Sequence, residues 1–476
     1  MNQPRPSRAA QAAVAVGAVA AAAILLRLPG LNGFRGQWIW PYQLAKAWSV
    51  YDLVFAVAVA GFVLVGLRFV ERGGKGLAAA VALLLAAICI SSYFIVGPGF
   101  PYLPVHLLHR LRPGFFQGLA PYRTLPEFLA QYPSWQQTSI GLAHTHPPGI
   151  MVVFWALRRL PDLFPGGPDR IVGWAAAVGI PRIAAYDPGT WAGVLLWTYL
   201  LPLLSATAVI PVWMAAKNFY GARPARVAVL LFGLVPGTMF FAVQLEPSAM
   251  LVCAWSLAFM SIPRRSTRFL SGLVAGLATQ MSYSMLSWVF FLGLLLLLMP
   301  LENRAGSRRQ FLARSALRMG IFMAGLSVAW LPFLLSPGFP TADIFRESMA
   351  YHHRVTDNRI KSLWLVFNLV DFSLFQNPVS IVLAVAAAVG ACGRIRRKNW
   401  SGLDPVPPAL AATILALDLS LNASGEVGRI WFFFAPAAVL AATQRAADLP
   451  PKPFRAVVAL AALVFLLVLL QIYPVS

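Results

Sequence analysis

"HTHPPGIMVVFWALRRL", residues 144–160, settles how the rest of the chain is threaded. Two prolines open a short apolar run that closes on Arg158 and Arg159. Prolines suit the first turn of a helix, where a missing N–H costs nothing. The run is shorter than the roughly 20 residues a crossing helix needs, so it reads as a helix lying on a membrane surface. Counting it as a crossing would invert the charge pattern of every later loop.

That pattern belongs to a membrane protein. The chain has 476 residues, 59% hydrophobic and 11% charged, whereas soluble domains are about a quarter charged. Apolar runs recur at roughly 10–28, 51–69, 77–96, 189–214, 226–243, 249–263, 269–282, 284–299, 319–336, 378–393, 406–421, 430–444 and 454–473. The expected fold is therefore an all-α polytopic bundle of about thirteen transmembrane helices with extracytoplasmic interfacial helices. Arg5 and Arg8 before the first run imitate a signal peptide, but no small-residue cleavage site follows, so a retained helix is expected.

A net charge of +22 does not point to nucleic acid. With the N-terminus in the cytoplasm, most of the 38 Lys and Arg fall in the short inside turns, such as "RRSTR" at 264–268 and "RIRRK" at 394–398. This is the positive-inside distribution, and it puts the C-terminus outside. Residues 97–188, 337–377 and 422–429 then become outside loops. Cys89, Cys253 and Cys392 all sit in apolar segments, so neither a disulfide framework nor a zinc cluster is expected. No phosphate-cradling glycine loop is present.

Ionisable groups near a bilayer are costly, and those left after the inside turns gather outside. In "NASGEVGRIWFFFAP", Glu426 and Arg429 are three apart at the start of an apolar run and share a helix face. The helix start offers N–H groups to a phosphate, and Arg429 offers a bidentate fork. His352, His353, Arg354 and Arg359 crowd "YHHRVTDNR", where the arginines suit an anionic headgroup. His144 and His146 suit hydrogen bonds to a phosphate or sugar; no metal-ligand spacing supports a metal site. Glu127, Glu246 and Glu426 are the candidate proton acceptors. Each also has an ordinary structural reading, as does Asp52 at the start of the second run. Trp38, Trp40 and Tyr42 read as an interfacial aromatic belt.

"HTHPPG" before an apolar helix in the first large outside loop resembles the His/Lys-Pro-Pro element of the GT-C glycosyltransferases, which include protein O-mannosyltransferases and aminoarabinose transferases. "FYGARPAR", residues 219–226, resembles their basic turn between early spans, and "YHHRVTDNR" and "SGEVGRIWFFFAP" resemble segments of actinobacterial members. The resemblance covers about 77–440. It implies a GT-C-like core at 77–444, with two extra N-terminal helices at 1–76 and a C-terminal helix at 445–476. It also implies transfer of a sugar from a polyprenyl-phosphate donor to a cell-envelope glycan or lipid hydroxyl in the plasma membrane, with no cofactor and no nucleic-acid partner. Family members carry an aspartate where this chain reads "VGPGFPYLPVHLLHR", 96–110, without an acid. Glu127, Glu246 or Glu426 would then supply the carboxylate, or the chain is an inactive relative. A flippase of lipid-linked sugars is the alternative; it would want charges at mid-bilayer and broken helices in paired halves.

Overall fold

The computed structural model describes residues 7–29, 33–34, 38–43, 48–96, 99–111, 114–117, 122, 124–138, 144–184, 186–242, 244–299, 308–335, 339–399 and 402–472. The chain is a helical bundle. Among the described residues, seven helices are long and apolar enough to cross a membrane: Arg8–Leu25, Val50–Arg72, Lys75–Ile95, Pro188–Tyr220, Leu312–Leu334, Pro378–Arg396 and Pro451–Gln471. Glu246–Met260, Tyr283–Leu298 and Val406–Leu419 are shorter apolar helices.

Helix occupies every one of the apolar segments read from the sequence, but several pieces are too short to span alone. The 226–243 run is divided at Gly233–Val235 into Ala222–Phe232 and Pro236–Phe240. Pro236 forces this break, because it cannot donate to the preceding turn and restricts the residue before it. Ala222–Phe232 and Ala435–Ala447 are buried along most of their length and form the middle of the bundle.

Small residues set the closest contacts. Gly272 and Gly276 on Arg265–Thr279 lie against Phe322, Leu326 and Ala329 of Arg308–Leu334, and Gly325 of that helix lies against Phe269 and Leu273. A Cβ at Gly272 would collide with the Phe322 carbonyl, and one at Gly325 with the Phe269 carbonyl. This is the close backbone approach that a small-xxx-small pattern permits between membrane helices.

The 97–188 region carries short helices: Leu103–Leu111, Gly114–Gln117, Leu125–Thr138, Pro148–Arg159 and Gly167–Ala177. It owns a second apolar core in which Phe115, Phe128, Tyr132, Ile150, Phe154, Trp191 and Trp197 are fully or almost fully buried. Pro148–Arg159 has 12 residues, which at 1.5 Å per residue is about 18 Å, well short of a bilayer core. Its start is anchored by contact: the Ile150 N–H donates to the Gln280 carbonyl at 3.0 Å. A Cβ on Gly149 would lie 2.7 Å from that same oxygen, so the glycine of "HPPG" is required for the approach. Its end is held by Arg158, whose Nε donates to Thr190 Oγ1 at 2.9 Å, and by Arg159, whose Nη2 donates to the Tyr122 carbonyl at 2.9 Å.

The N-terminal helices are not peripheral. Arg8–Leu25 packs on Pro378–Arg396 and on Pro451–Gln471, and Val50–Arg72 packs on Lys75–Ile95 and Pro451–Gln471. Between them, Gly33–Phe34 and Trp38–Ile39 form a two-residue antiparallel pair. Gln43 N–H donates to the Gln471 carbonyl at 2.8 Å, tying this link to the C-terminal helix.

Basic turns meet at one end of the bundle. Arg455 Nη2 lies 2.9 Å from Glu71 Oε1, Arg223 donates to the Ala447 carbonyl, and Tyr220 Oη donates to Asp404 Oδ1 at 2.9 Å. The Glu246–Met260 helix ends near this side, where Asn218 Nδ2 donates to Ser261 Oγ at 2.9 Å, and it begins at the opposite end. Gly272→Val is expected to lower stability by about 1–3 kcal/mol through overpacking, read as a reduced melting temperature in detergent. An unchanged melting temperature would show that this helix pair is not tightly seated.

Candidate functional site

The end of the bundle opposite the basic turns is organised around the loop that leads into Arg429. Gly425 (φ +83°) and Glu426 (φ +61°) both adopt left-handed backbone, which is uncommon for a residue with a Cβ and persists where neighbours hold it. The neighbours here belong to one face of the Lys361–Gln376 helix. Asn368 Nδ2 donates to the Ala423 carbonyl at 2.9 Å and to Asp418 Oδ1 at 3.1 Å, while its Oδ1 accepts the Gly425 N–H at 3.2 Å. One turn on, Asp371 Oδ2 accepts the Gly428 N–H at 2.7 Å. Asp371 Oδ1 accepts the Trp40 indole N–H at 2.8 Å. A Cβ on Gly428 would stand 3.0 Å from the Asp371 carbonyl, so only glycine lets the loop seat this deeply.

The loop presents a chain of alternating charges. Arg359 Nη2 lies 3.0 Å from Glu426 Oε1, and Arg359 also donates to the Ser424 carbonyl. Arg429 Nη2 donates to Glu426 Oε2 at 2.5 Å. Arg429 Nε lies 3.3 Å from Glu246 Oε1, but its hydrogen bears on no acceptor in hydrogen-bond geometry, so that contact is Coulombic. Side-chain exposure is 12% for both arginines, 13% for Glu426 and 18% for Glu246. Glu246 opens the Glu246–Met260 helix, where a helix N-terminus favours a negative charge. Burial works against the charge on Arg429, but Glu426, Glu246 and Asp371 outweigh it and hold the guanidinium above its usual range. Burial pushes the Asp371 carboxyl up to about 6, against the pull of the Gly428 and Trp40 N–H groups; the nearby Glu426 charge adds to the rise.

A second polar cluster lies on the Thr341–Thr356 helix. His144 Nε2 donates to Glu347 Oε1 at 3.2 Å, and Arg354 Nη2 approaches the same oxygen at 3.3 Å. The His144 ring stacks on Tyr351 with centroids 4.6 Å apart. Gln136 Nε2 and Ser348 Oγ both donate to the His144 carbonyl at 3.1 Å. The His144 hydrogen bond, helped by Arg354 and opposed by slight burial, holds the Glu347 carboxyl below its usual range.

Four of the expected residues, Glu246, Arg359, Glu426 and Arg429, form one network. His144 and Arg354 meet elsewhere, on Glu347. His352 Nε2 donates to the Asn422 carbonyl at 2.8 Å, which fixes the root of the Glu426 loop, and His353 stands beside it, exposed. His146 Nδ1 pairs with Thr145 Oγ1 at 3.1 Å, and its carbonyl accepts the Tyr132 hydroxyl at 2.7 Å. Glu127 stands apart in a capping box: its Oε2 accepts the Thr124 N–H at 3.4 Å, while Thr124 Oγ1 accepts the Glu127 N–H at 3.3 Å. Asp52 makes a capping box with Ser49.

Two expectations are corrected. The N–H of Gly428 at the helix start is not open to a phosphate, because the Asp371 carboxylate already occupies it. The Arg429 guanidinium is likewise engaged by Glu426 and Glu246. Trp40 is no belt residue: it is 1% exposed and packed among Phe240, Phe241 and Phe375. Asp371, Asn368 and Glu347 escaped the sequence reading. The available signal was the i, i+3 spacing of Asn368 and Asp371 in "FNLVDF", two polar groups on one face of an aromatic-rich helix.

Among the described residues, no group of three or more His, Cys, Asp or Glu is placed to hold a metal ion. The chain matches no protein-family model and no curated protein. Removing Arg429 would leave Glu246 and Glu426 sharing a largely buried space. Arg429→Ala is expected to cost about 3 kcal/mol of stability, measured by thermal melting. Pairing it with Glu426→Gln should recover part of that loss. Additive losses in the double variant would show that the two side chains do not act together.

Proposed function

We propose that the chain is a membrane glycosyltransferase that moves a sugar from a polyprenyl-phosphate donor to a hydroxyl of a cell-envelope glycan or lipid. In this reading the bundle crosses the plasma membrane about thirteen times, shorter helices included, with the N-terminus and the basic turns in the cytoplasm. The acidic and arginine-rich end then faces outward. The observation that carries the proposal is Glu246, a carboxylate only 18% exposed, set against Arg429 at the end of the bundle remote from the basic turns.

Sugar transfer at that position needs two things. A carboxylate must take the acceptor proton, and cations must stabilise the departing phosphate. Glu246 is the more exposed of the two carboxylates against Arg429, 18% against 13%, and Glu426 is held by two arginines. Glu246 is therefore assigned as proton acceptor, and Glu426 as the group that orders Arg359 and Arg429. Arg354 is 64% exposed and shares Glu347 with His144, so its guanidinium has donors to spare for a phosphate at the rim. In the reaction the sugar C1–O bond to phosphate breaks and its electron pair leaves with the polyprenyl phosphate. The acceptor oxygen bonds to C1, and its proton passes to Glu246. The layer of short helices at 97–188 supplies an interfacial platform for a lipid-linked donor.

The test uses the full chain in proteoliposomes with radiolabelled polyprenyl-phosphate sugars and a glycan or glycolipid acceptor. Glu246→Gln is expected to reduce turnover at least about 100-fold, and Glu127→Gln to leave it within about twofold. Turnover retained by Glu246→Gln would remove that assignment. Donor crossing the bilayer intact, with no product formed, would replace the transferase with a flippase.

A further inference from the structure

We propose that Asp371 is a positioning residue that ties the N-terminal hairpin to the Arg429 loop and makes the arrangement of that loop proton-sensitive. The inference rests on the transferase reading for its activity arm only. The carboxylate takes the Gly428 N–H at 2.7 Å on one oxygen and the Trp40 indole N–H at 2.8 Å on the other. Gly428 immediately precedes Arg429, and Glu426 lies two residues before Gly428. Fixing Gly428 therefore fixes the backbone that aims both charges. Trp40 follows the Gly33–Phe34 and Trp38–Ile39 pair, and Phe34 packs on Phe367 of the helix that carries Asp371, with ring centroids 4.2 Å apart. A segment 331 residues away in sequence thus holds one side of the site.

An ionised carboxylate accepts both N–H groups. A carboxylic acid carries a proton on one oxygen, which makes that oxygen a weaker acceptor, so the donor on it is held less firmly. Among the described residues, these groups face Asp371. From the loop come Glu426 and Arg429, with Arg359 and Glu246 paired behind them. From Val406–Leu419 comes Asp418, reached through Asn368. The hairpin side presents the Trp40 indole, and the Pro236–Phe240 helix presents Phe240. With Asp371 titrating near 6, the switch falls within the range a cell surface meets.

The sign follows from linkage. A carboxyl raised in the folded state binds more protons folded than unfolded between its ordinary value and about 6. Its contribution to stability is therefore greatest at low pH and is lost as pH rises through that window. Activity runs the other way, because the ionised form seats the loop.

The experiment has two arms on the purified full chain. In the first, melting temperature is measured from pH 4.5 to 7.5, with no substrate. The difference between wild type and Asp371→Asn is expected to change through an inflection near pH 6, and Trp40→Phe to move the wild-type inflection upward, because the lost N–H had favoured the ionised form. A difference independent of pH, with Trp40→Phe leaving the profile unmoved, overturns the inference whatever the protein's activity. In the second, turnover of the polyprenyl-phosphate sugar is expected to fall on the acid side of about pH 6 in wild type. Asp371→Asn should lose about tenfold and lack that acid limb, and the double variant with Trp40→Phe should lose no more than the single one. An acid limb intact in Asp371→Asn overturns the positioning role. Absence of turnover in wild type at every pH instead fails the transferase reading and leaves the melting arm to decide.

Discussion

A guanidinium sealed in an apolar bundle is tolerable only with carboxylates against it, and a carboxylate only with donors against it. Arg429, with Glu426 and Glu246 on either side and Arg359 beyond, is the interaction on which the end of the molecule remote from the basic turns depends. Apolar packing elsewhere is non-directional and would tolerate small slips of one helix along another. Ion pairs and N–H bonds to a carboxylate do not. Because the network draws on Glu246, Arg359 and the 426–429 loop, with Trp40 attached through Asp371, it sets the register of elements from four distant stretches.

Close backbone approach is the complementary constraint. Gly149 lets the "HPPG" turn sit on Gln280, and Gly272 with Gly325 lets two long helices touch. Gly428 lets the charged loop drop onto Asp371. Each position brings a main-chain group close to another element, and at Gly149 and Gly428 the result is a hydrogen bond in a low-dielectric setting, to the Gln280 carbonyl and to the Asp371 carboxylate. The fold and the site therefore share one device: a missing Cβ where an N–H must reach an oxygen across elements.

How much of this was legible in the sequence depends on the range of the interaction. Apolar runs and proline-punctuated short segments act locally, so the helical membrane class and the layer of short helices at 97–188 could be read directly. The Glu426–Arg429 pair, three residues apart, was legible for the same reason. The His144–Glu347 contact spans 203 residues and Trp40–Asp371 spans 331, and no local pattern announces either. Trp40 looked like a belt residue because "GQWIWPY" has belt composition; burial against Phe240, Phe241 and Phe375 is a tertiary outcome. The helix start before Arg429 looked open to an anion because its N–H groups have no local partner. Asp371, from another helix, fills that position. Hydropathy located the apolar helices but overstated their individual reach: among the described residues seven are long and apolar enough to cross a membrane, and pieces such as Ala222–Phe232 are short and buried by their neighbours.

The left-handed Glu426 shows why the two polar clusters belong to one mechanical unit. Holding a non-glycine residue at φ +61° costs on the order of 1–3 kcal/mol. That cost is met only because the loop is over-determined from several sides. Asn368 and Asp371 hold it from beneath, Arg359 holds the Ser424 carbonyl, and His352 holds Asn422. His352 lies on the Thr341–Thr356 helix, and Glu347 on that same helix grips His144. From Glu347 to Thr356 the helix rises about 14 Å, a rigid strut with the histidine-proline turn near one end and the charged loop at the other. A tilt of the strut moves the Glu347 and His352 contacts together, so a shift of the turn that opens Pro148–Arg159 is felt at the root of the loop that aims Arg429.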